Sequence, residues 1–148
     1  MTVRLRRVPG EATLADAHAV RRAVFIREQG VAEAEEMDGR DGDASHVVAY
    51  APRAEGGHEP VGTARLRVPE PGVAKPERVA VLRAYRGAGI GRALMRAVER
   101  DAREQGCERA RLHAQTAVES FYRDLGYRAT GDAFEEAGIA HVAMEKPL

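Results

Sequence analysis

The chain has 148 residues, 44% of them hydrophobic and 31% charged, which suits one domain with a buried core and not a disordered segment. Its 23 basic and 23 acidic residues cancel, so it lacks the basic excess of a nucleic-acid binder. The single Cys107 excludes an intrachain disulfide and a four-cysteine zinc site, and no apolar run has the length of a signal peptide or membrane span, so the expectation is a soluble cytoplasmic protein.

In chain order, "VRLRRV" (3–8) alternates and stops at Pro9-Gly10, as a short strand does. Residues 13–30 predict a long helix, with Thr13 as cap, Asp16 in the first turn and Gly30 at the end. The acidic, turn-rich stretch 31–45 predicts a loop with one helical turn. "HVVAYA" (46–51) and "PVGTARLRV" (60–68) read as strands around a hairpin-like turn, and "AKPERVAVLR" (74–83) as a third. From Gly89 to Gln105 the residues Ile90, Leu94, Ala97, Val98 and Ala102 follow the helical period, and Gly106 is a stop. "RARLHAQ" (109–115) alternates as a strand. Thr116 and Glu119 have capping-box spacing for a helix to Leu125, ended by Gly126, and two strands joined by a turn follow. The predicted order is β-α-β-β-β-α-β-α-β-β, one α/β domain with a mixed sheet.

"VAVLRAYRGAGIGRAL" (79–94) leads from a strand through a short loop into a helix. The first backbone N–H groups of a helix have no partner inside it, and their dipoles sum to a partial positive charge. Glycines at 87, 89 and 91 let an anion reach those amides, and Arg86 and Arg92 add charge at either end. A Walker loop is excluded because Arg92-Ala93 stands where Lys-Ser/Thr is required. A dinucleotide fingerprint fails too: counted from Gly87 its third position is Arg92, and counted from Gly89 it is Leu94. A turn built only for tight packing, or a nucleotide-phosphate site, are the other readings of these residues alone.

The stretch resembles the acyl-CoA-binding motif of the GNAT superfamily of N-acetyltransferases, Arg/Gln-x-x-Gly-x-Gly/Ala after a strand, met here by Arg86, Gly87, Ala88, Gly89, Ile90 and Gly91. "QTAVESFYRDLGY" (115–127) is similar to a later family segment, with Gln115 where most members carry asparagine and Tyr127 in place of phenylalanine. Arg21 or Arg22 with "VFIREQG" (24–30), then Asp38, Asp41 and His46, and "EAGIAHVAMEK" (136–146), resemble the ElaA-like branch. The resemblance implies a single N-acetyltransferase-like α+β domain over 1–148, with a mixed, mostly antiparallel sheet flanked by helices. It implies acetyl-CoA as co-substrate, without metal. The pyrophosphate would lie on the loop amides of 87–92 with Arg86 beside it, the pantetheine arm along Val79, Ala80 and Val81, and an amide would come from Gln115. Tyr122 would stand near the sulfur and protonate the departing thiolate. By spacing alone Tyr122 also fits a core stripe with Val118, Phe121 and Leu125.

Acetyl transfer to a small-molecule or peptide amine needs no enzyme nucleophile, so Cys107 is not required. Candidates for removing the amine proton are Glu77 and Glu28, then His46 and His141, whose plainer reading is sheet packing, as it is for His113. The acidic loop 33–43 fails the EF-hand spacing and reads as a solvated loop or as a negative rim for a cationic amine. The resemblance leaves room for a homodimer through the C-terminal strands, and for an acyl-CoA-binding module without turnover. Neither nucleic acid nor membrane is expected as a partner.

Overall fold

The computed structural model describes residues 2–9 and 14–148. Its strands are β1 (Arg4–Pro9), β2 (Ser45–Pro52), β3 (His58–Glu70), β4 (Val73–Val81), β5 (Arg109–Gln115), β6 (Arg128–Ala129), β7 (Phe134–Glu136) and β8 (Ile139–Pro147). The helices are α1 (Leu14–Arg21), α2 (Glu33–Glu36), α3 (Ile90–Glu104) and α4 (Glu119–Asp124). The strands form one sheet in the order β1-β2-β3-β4-β5-β8-β6, with β7 also on β8. Neighbours pair antiparallel, except β4 and β5, which are parallel. The mixed, mostly antiparallel sheet flanked by helices is the predicted architecture.

Three local expectations change. The predicted long helix is α-helical only to Arg21 and continues as a π-helix over Arg22–Glu28, where the Gln29 N–H reaches the Val24 carbonyl, five residues back, at 3.0 Å. Through this wider winding Val24 packs with Val20 and Ala80, and Phe25 lies against the same cluster, a placement that 3.6-residue counting misses. The Thr13 cap lies outside the described residues. The Thr116–Glu119 capping box does not form. Residues Thr116–Val118 make a 3₁₀ turn without a side-chain cap, and Glu119 binds Arg123 one turn on. The penultimate strand is two pieces, β6 and β7, both on β8 and separated by residues 130–133.

The core lies between the sheet and α3, whose Ile90, Leu94, Val98 and Ala102 are buried as the periodicity predicts, with Ala97 only partly buried and Met95, not in the predicted stripe, buried as well. Gly62 of β3 permits this approach, since a Cβ there would stand 3.0 Å from Leu94 Cδ1. The Tyr127 hydroxyl, absent from a phenylalanine, donates to buried Glu99 at 2.7 Å. Cys107 is buried at the exit of α3.

Two features of β4 shape the site. Its pairing with β5 is confined to Val73–Arg109 and Ala74–Ala110, after which the strands part. Against β3, Thr63 pairs with Ala80 but Arg65 with Glu77, so β4 takes three steps where β3 takes two. The surplus residue is the bulge at Arg78, whose φ is 53°.

Candidate active site

Where β4 leaves β5, a cleft of about 590 Å³ opens between them. Of the expected site residues, Glu77, Val79, Ala80, Val81, Arg86, Gln115 and Tyr122 line it together. Beyond Ala74 the β5-facing edge of β4 has no strand partner among the described residues, so its backbone groups are available to an extended ligand.

The glycine turn meets the cleft at Val81. Gly89 is the N-cap of α3 at φ 82°, a conformation that costs a residue with a Cβ about 1–2 kcal/mol. Its lack of side chain therefore serves the backbone. Gly91 serves packing: a Cβ there would lie 3.3 Å from Phe121 Cζ and 3.9 Å from Val81 Cγ2. Ile90, expected to contribute its N–H to the cofactor, buries its side chain in the core. Gly87, Ala88 and Arg92 flank this start, outside the cleft lining.

Tyr122 is buried in α4, and burial pushes its hydroxyl up to about 12. That hydroxyl has no hydrogen-bond partner among the described residues, and the Phe121 ring stands edge-on to the phenol at 5.0 Å. A hydroxyl on the cleft wall with no protein partner among the described residues is free to hydrogen-bond a ligand. Gln115 exchanges amide hydrogen bonds with Gln29, at 2.9 and 3.2 Å, tying the end of the π-helix to β5 across the cleft.

The carboxylates expected as proton acceptors are both bound to guanidinium groups. Glu28 takes both Nη atoms of Arg86 at 2.7 Å, which holds its carboxyl down at about 2. Burial would raise the Glu77 carboxyl, but hydrogen bonds from Arg67 and Arg65 outweigh it and hold it below the usual range. Glu77 accepts from Arg67 Nε at 2.7 Å and touches Arg65.

The acidic loop is not an open negative rim, because its main carboxylates are used internally. Arg21 reaches Glu36 at 2.5 Å and Asp41 at 2.8 Å, Arg65 reaches Asp38 at 2.8 Å and Asp41 at 3.0 Å, and Arg78 reaches Glu36 at 2.8 Å. Arg21 and Arg65 are fully buried. His46 sits beneath this network, 3.0 Å from the Asp41 carbonyl through Nε2, and is absent from the cleft lining. The branch-like residues Arg21, Asp38, Asp41 and His46 thus build one ion-paired wall.

Glu136 and Gln29 also line the cleft, and sequence reasoning passed over both. Glu136 had a legible signal: Ala137-Gly138, both at positive φ (51° and 76°), make a two-residue hairpin turn that pairs Glu136 with Ile139 and Phe134 with His141. His113, Glu136 and His141 thereby meet at the cleft wall. No metal-holding group of His, Cys, Asp or Glu exists among the described residues, and no helix there is long and apolar enough to cross a membrane.

An open sheet parted between two parallel strands, a glycine-turned helix start beside the gap and a buried tyrosine facing it define the acyltransferase class. The sequence model of the acetyltransferase (GNAT) domain matches residues 13–148, and the chain belongs to this family. A Bacillus subtilis protein described as a candidate acetyltransferase is 39% identical over 145 residues, covering 96% of this chain and 95% of its own. The crystal structure of a candidate N-acetyltransferase from Lactobacillus plantarum superposes with TM-score 0.88 at 32% identity, covering 100% and 99% of the two chains. Escherichia coli ElaA shares the fold at TM-score 0.81 and 24% identity, over 98% and 99%. So does a GNAT acetyltransferase from Elizabethkingia anophelis with acetyl-CoA bound, at TM-score 0.71 and 14% identity, over 97% and 98%.

Proposed function

We propose that the protein transfers an acetyl group from acetyl-CoA to the amine of a small molecule or peptide by direct attack. In this reading the open edge of β4 at Val79–Val81 binds the extended arm of the cofactor. The N-terminal amides of α3, approached over Gly87–Arg92 with Arg86 beside them, face its pyrophosphate. Gln115 and Tyr122 flank the thioester end, and the Tyr122 hydroxyl gives its proton to the departing sulfur. Glu28 orients Arg86, and Glu77 anchors the opposite wall of the cleft. The observation that carries the reading is Tyr122: a tyrosine buried in α4 whose hydroxyl has no partner among the described residues, on the wall of the cleft that β4 opens.

The test combines two measurements. Acetyl-CoA should raise the melting temperature where ATP or NAD does not, by mass action on the folded state. Thiol release from acetyl-CoA should depend on an added amine and fall about 10²–10⁴-fold in Tyr122→Phe, the range for loss of a positioned acid. A melting shift without thiol release from any amine would make the chain an acyl-CoA-binding module instead.

A further inference from the structure

We propose that His141 is the base that takes the proton from the attacking amine, with Glu136 as counter-ion to the imidazolium that forms; this rests on the acetyl-transfer reading above. His141 Nδ1 lies 2.7 Å from the Ile139 carbonyl. A carbonyl only accepts, so Nδ1 carries the hydrogen and Nε2 keeps its lone pair. Nε2 in turn lies 3.7 Å from Glu136 Oε2, too far to share a hydrogen bond but near enough to stabilise a cation. The ring is therefore held as the tautomer a base requires, with a carboxylate placed as counter-ion beside it.

The surroundings keep it in place. His141 is 7% exposed and its ring stacks on Phe134 at 6.1 Å and 25°. It pairs across β5–β8 with Gln115, so the two side chains stand on one face of the sheet, and both line the cleft that holds Tyr122. The groups facing it are Glu136 from β7 and His113 from β5, whose Nδ1 lies 3.0 Å from Glu136 Oε1. Arg67 of β3 and Lys75 and Glu77 of β4 stand on the opposite wall. The rival bases are worse placed: Glu28 and Glu77 are committed to arginines, and His46 lies outside the cleft with Nε2 turned to a carbonyl.

In the transfer, the amine nitrogen bonds to the acyl carbon as the carbon–sulfur bond breaks. His141 Nε2 takes one proton from that nitrogen and Tyr122 gives one to the sulfur. Solvent then returns the imidazolium proton to the tyrosinate, leaving amide and thiol with no net proton change.

The test is His141→Asn. The asparagine amide can keep the hydrogen bond to the Ile139 carbonyl but offers nothing at Nε2. Spermidine, lysine methyl ester and a short peptide with a free N-terminus serve as probes for thiol release from acetyl-CoA. We expect kcat to fall about 10²-fold with the acetyl-CoA melting shift retained, and the acidic limb of the kcat–pH profile to flatten. The exposed His58→Asn is the control and should leave both unchanged. If the wild type turns over and folded His141→Asn keeps its kcat and acidic limb, the assignment of His141 is wrong while the acetyl-transfer reading stands. If His141→Asn does not fold, His141→Gln is measured in its place and judged on the same two readouts. Should the wild type release no thiol with any probe, acetyl transfer itself fails, and the role of His141 with it.

Discussion

Glu28 and Arg86, 58 positions apart, face each other as a two-pronged ion pair, with both Nη atoms 2.7 Å from the carboxylate. Arg86 Nε also donates to the Val81 carbonyl at 2.9 Å, so the guanidinium is fastened to the strand expected to hold the cofactor. An expected catalytic carboxylate and an expected phosphate-binding cation are thus partners of each other.

Glu28→Gln should therefore act on cofactor binding, not on chemistry. The pair is largely exposed and contributes about 0–1 kcal/mol to stability. The carboxyl is depressed to about 2, so this contribution is present above the ordinary carboxylate range and fades as pH falls toward 2. With the carboxylate neutralised, Arg86 stays anchored to Val81 and its Nη atoms become available to an anion. We expect the acetyl-CoA Kd to tighten about two- to fivefold, measured by calorimetry, with kcat changed less than about threefold. A hundredfold loss of kcat would make Glu28 the proton acceptor after all.

Gly91→Ala tests the packing behind Tyr122. Alanine gains about 1 kcal/mol of helix propensity, but its Cβ would press on Phe121 at 3.3 Å. Phe121 stands edge-on to Tyr122, so the displacement passes to the phenol. The expected outcome is a melting temperature within about 4 °C of wild type and a kcat lowered about 3–30-fold. Gly89→Ala has no such neighbour and should do the opposite, costing about 1–2 kcal/mol through its left-handed backbone with kcat largely kept. If Gly91→Ala leaves kcat intact, Phe121 does not position Tyr122.

Local patterns were legible in the sequence, and distant pairings were not. The α3 stripe and the alternation of β5 depend on neighbours a few residues away, and both stand as read. The π-winding at Arg22–Glu28 is a change of period inside a helical run, invisible to a count that assumes one period. The capping box failed because Glu119 had a competing partner, Arg123, four residues on. Gln29 and Gln115 stand 86 positions apart, so nothing in either segment announces their pairing. The acidic loop looked solvated because the arginines that neutralise it, Arg21, Arg65 and Arg78, come from α1, β3 and β4.

That network should govern the response to acid. The hydrogen bond from Arg65 holds the Asp38 carboxyl far below the usual range. Burial would raise Asp41, but hydrogen bonds from Arg21 and His18 outweigh it, and Glu77 is lowered by Arg67 and Arg65 against the same opposition. A carboxylate depressed in the folded state stabilises it fully above its unfolded pKa, near 4, and loses that stabilisation as pH falls below. Burial also depresses His46, so the folded state prefers it neutral, and stability begins to erode below about pH 6.5. Both effects run the same way: the melting temperature should be level above pH 7, decline gently from 6.5 and drop steeply below 4. Arg65→Met removes the guanidinium shared by Asp38, Asp41 and Glu77 and should cost about 3–5 kcal/mol at pH 7, the range for breaking a buried pair. Its curve should also be flatter below pH 4, since carboxylates no longer depressed gain little from ionisation. A variant that loses stability at pH 7 yet keeps the wild-type acid slope would show that Arg65 does not set these carboxylates.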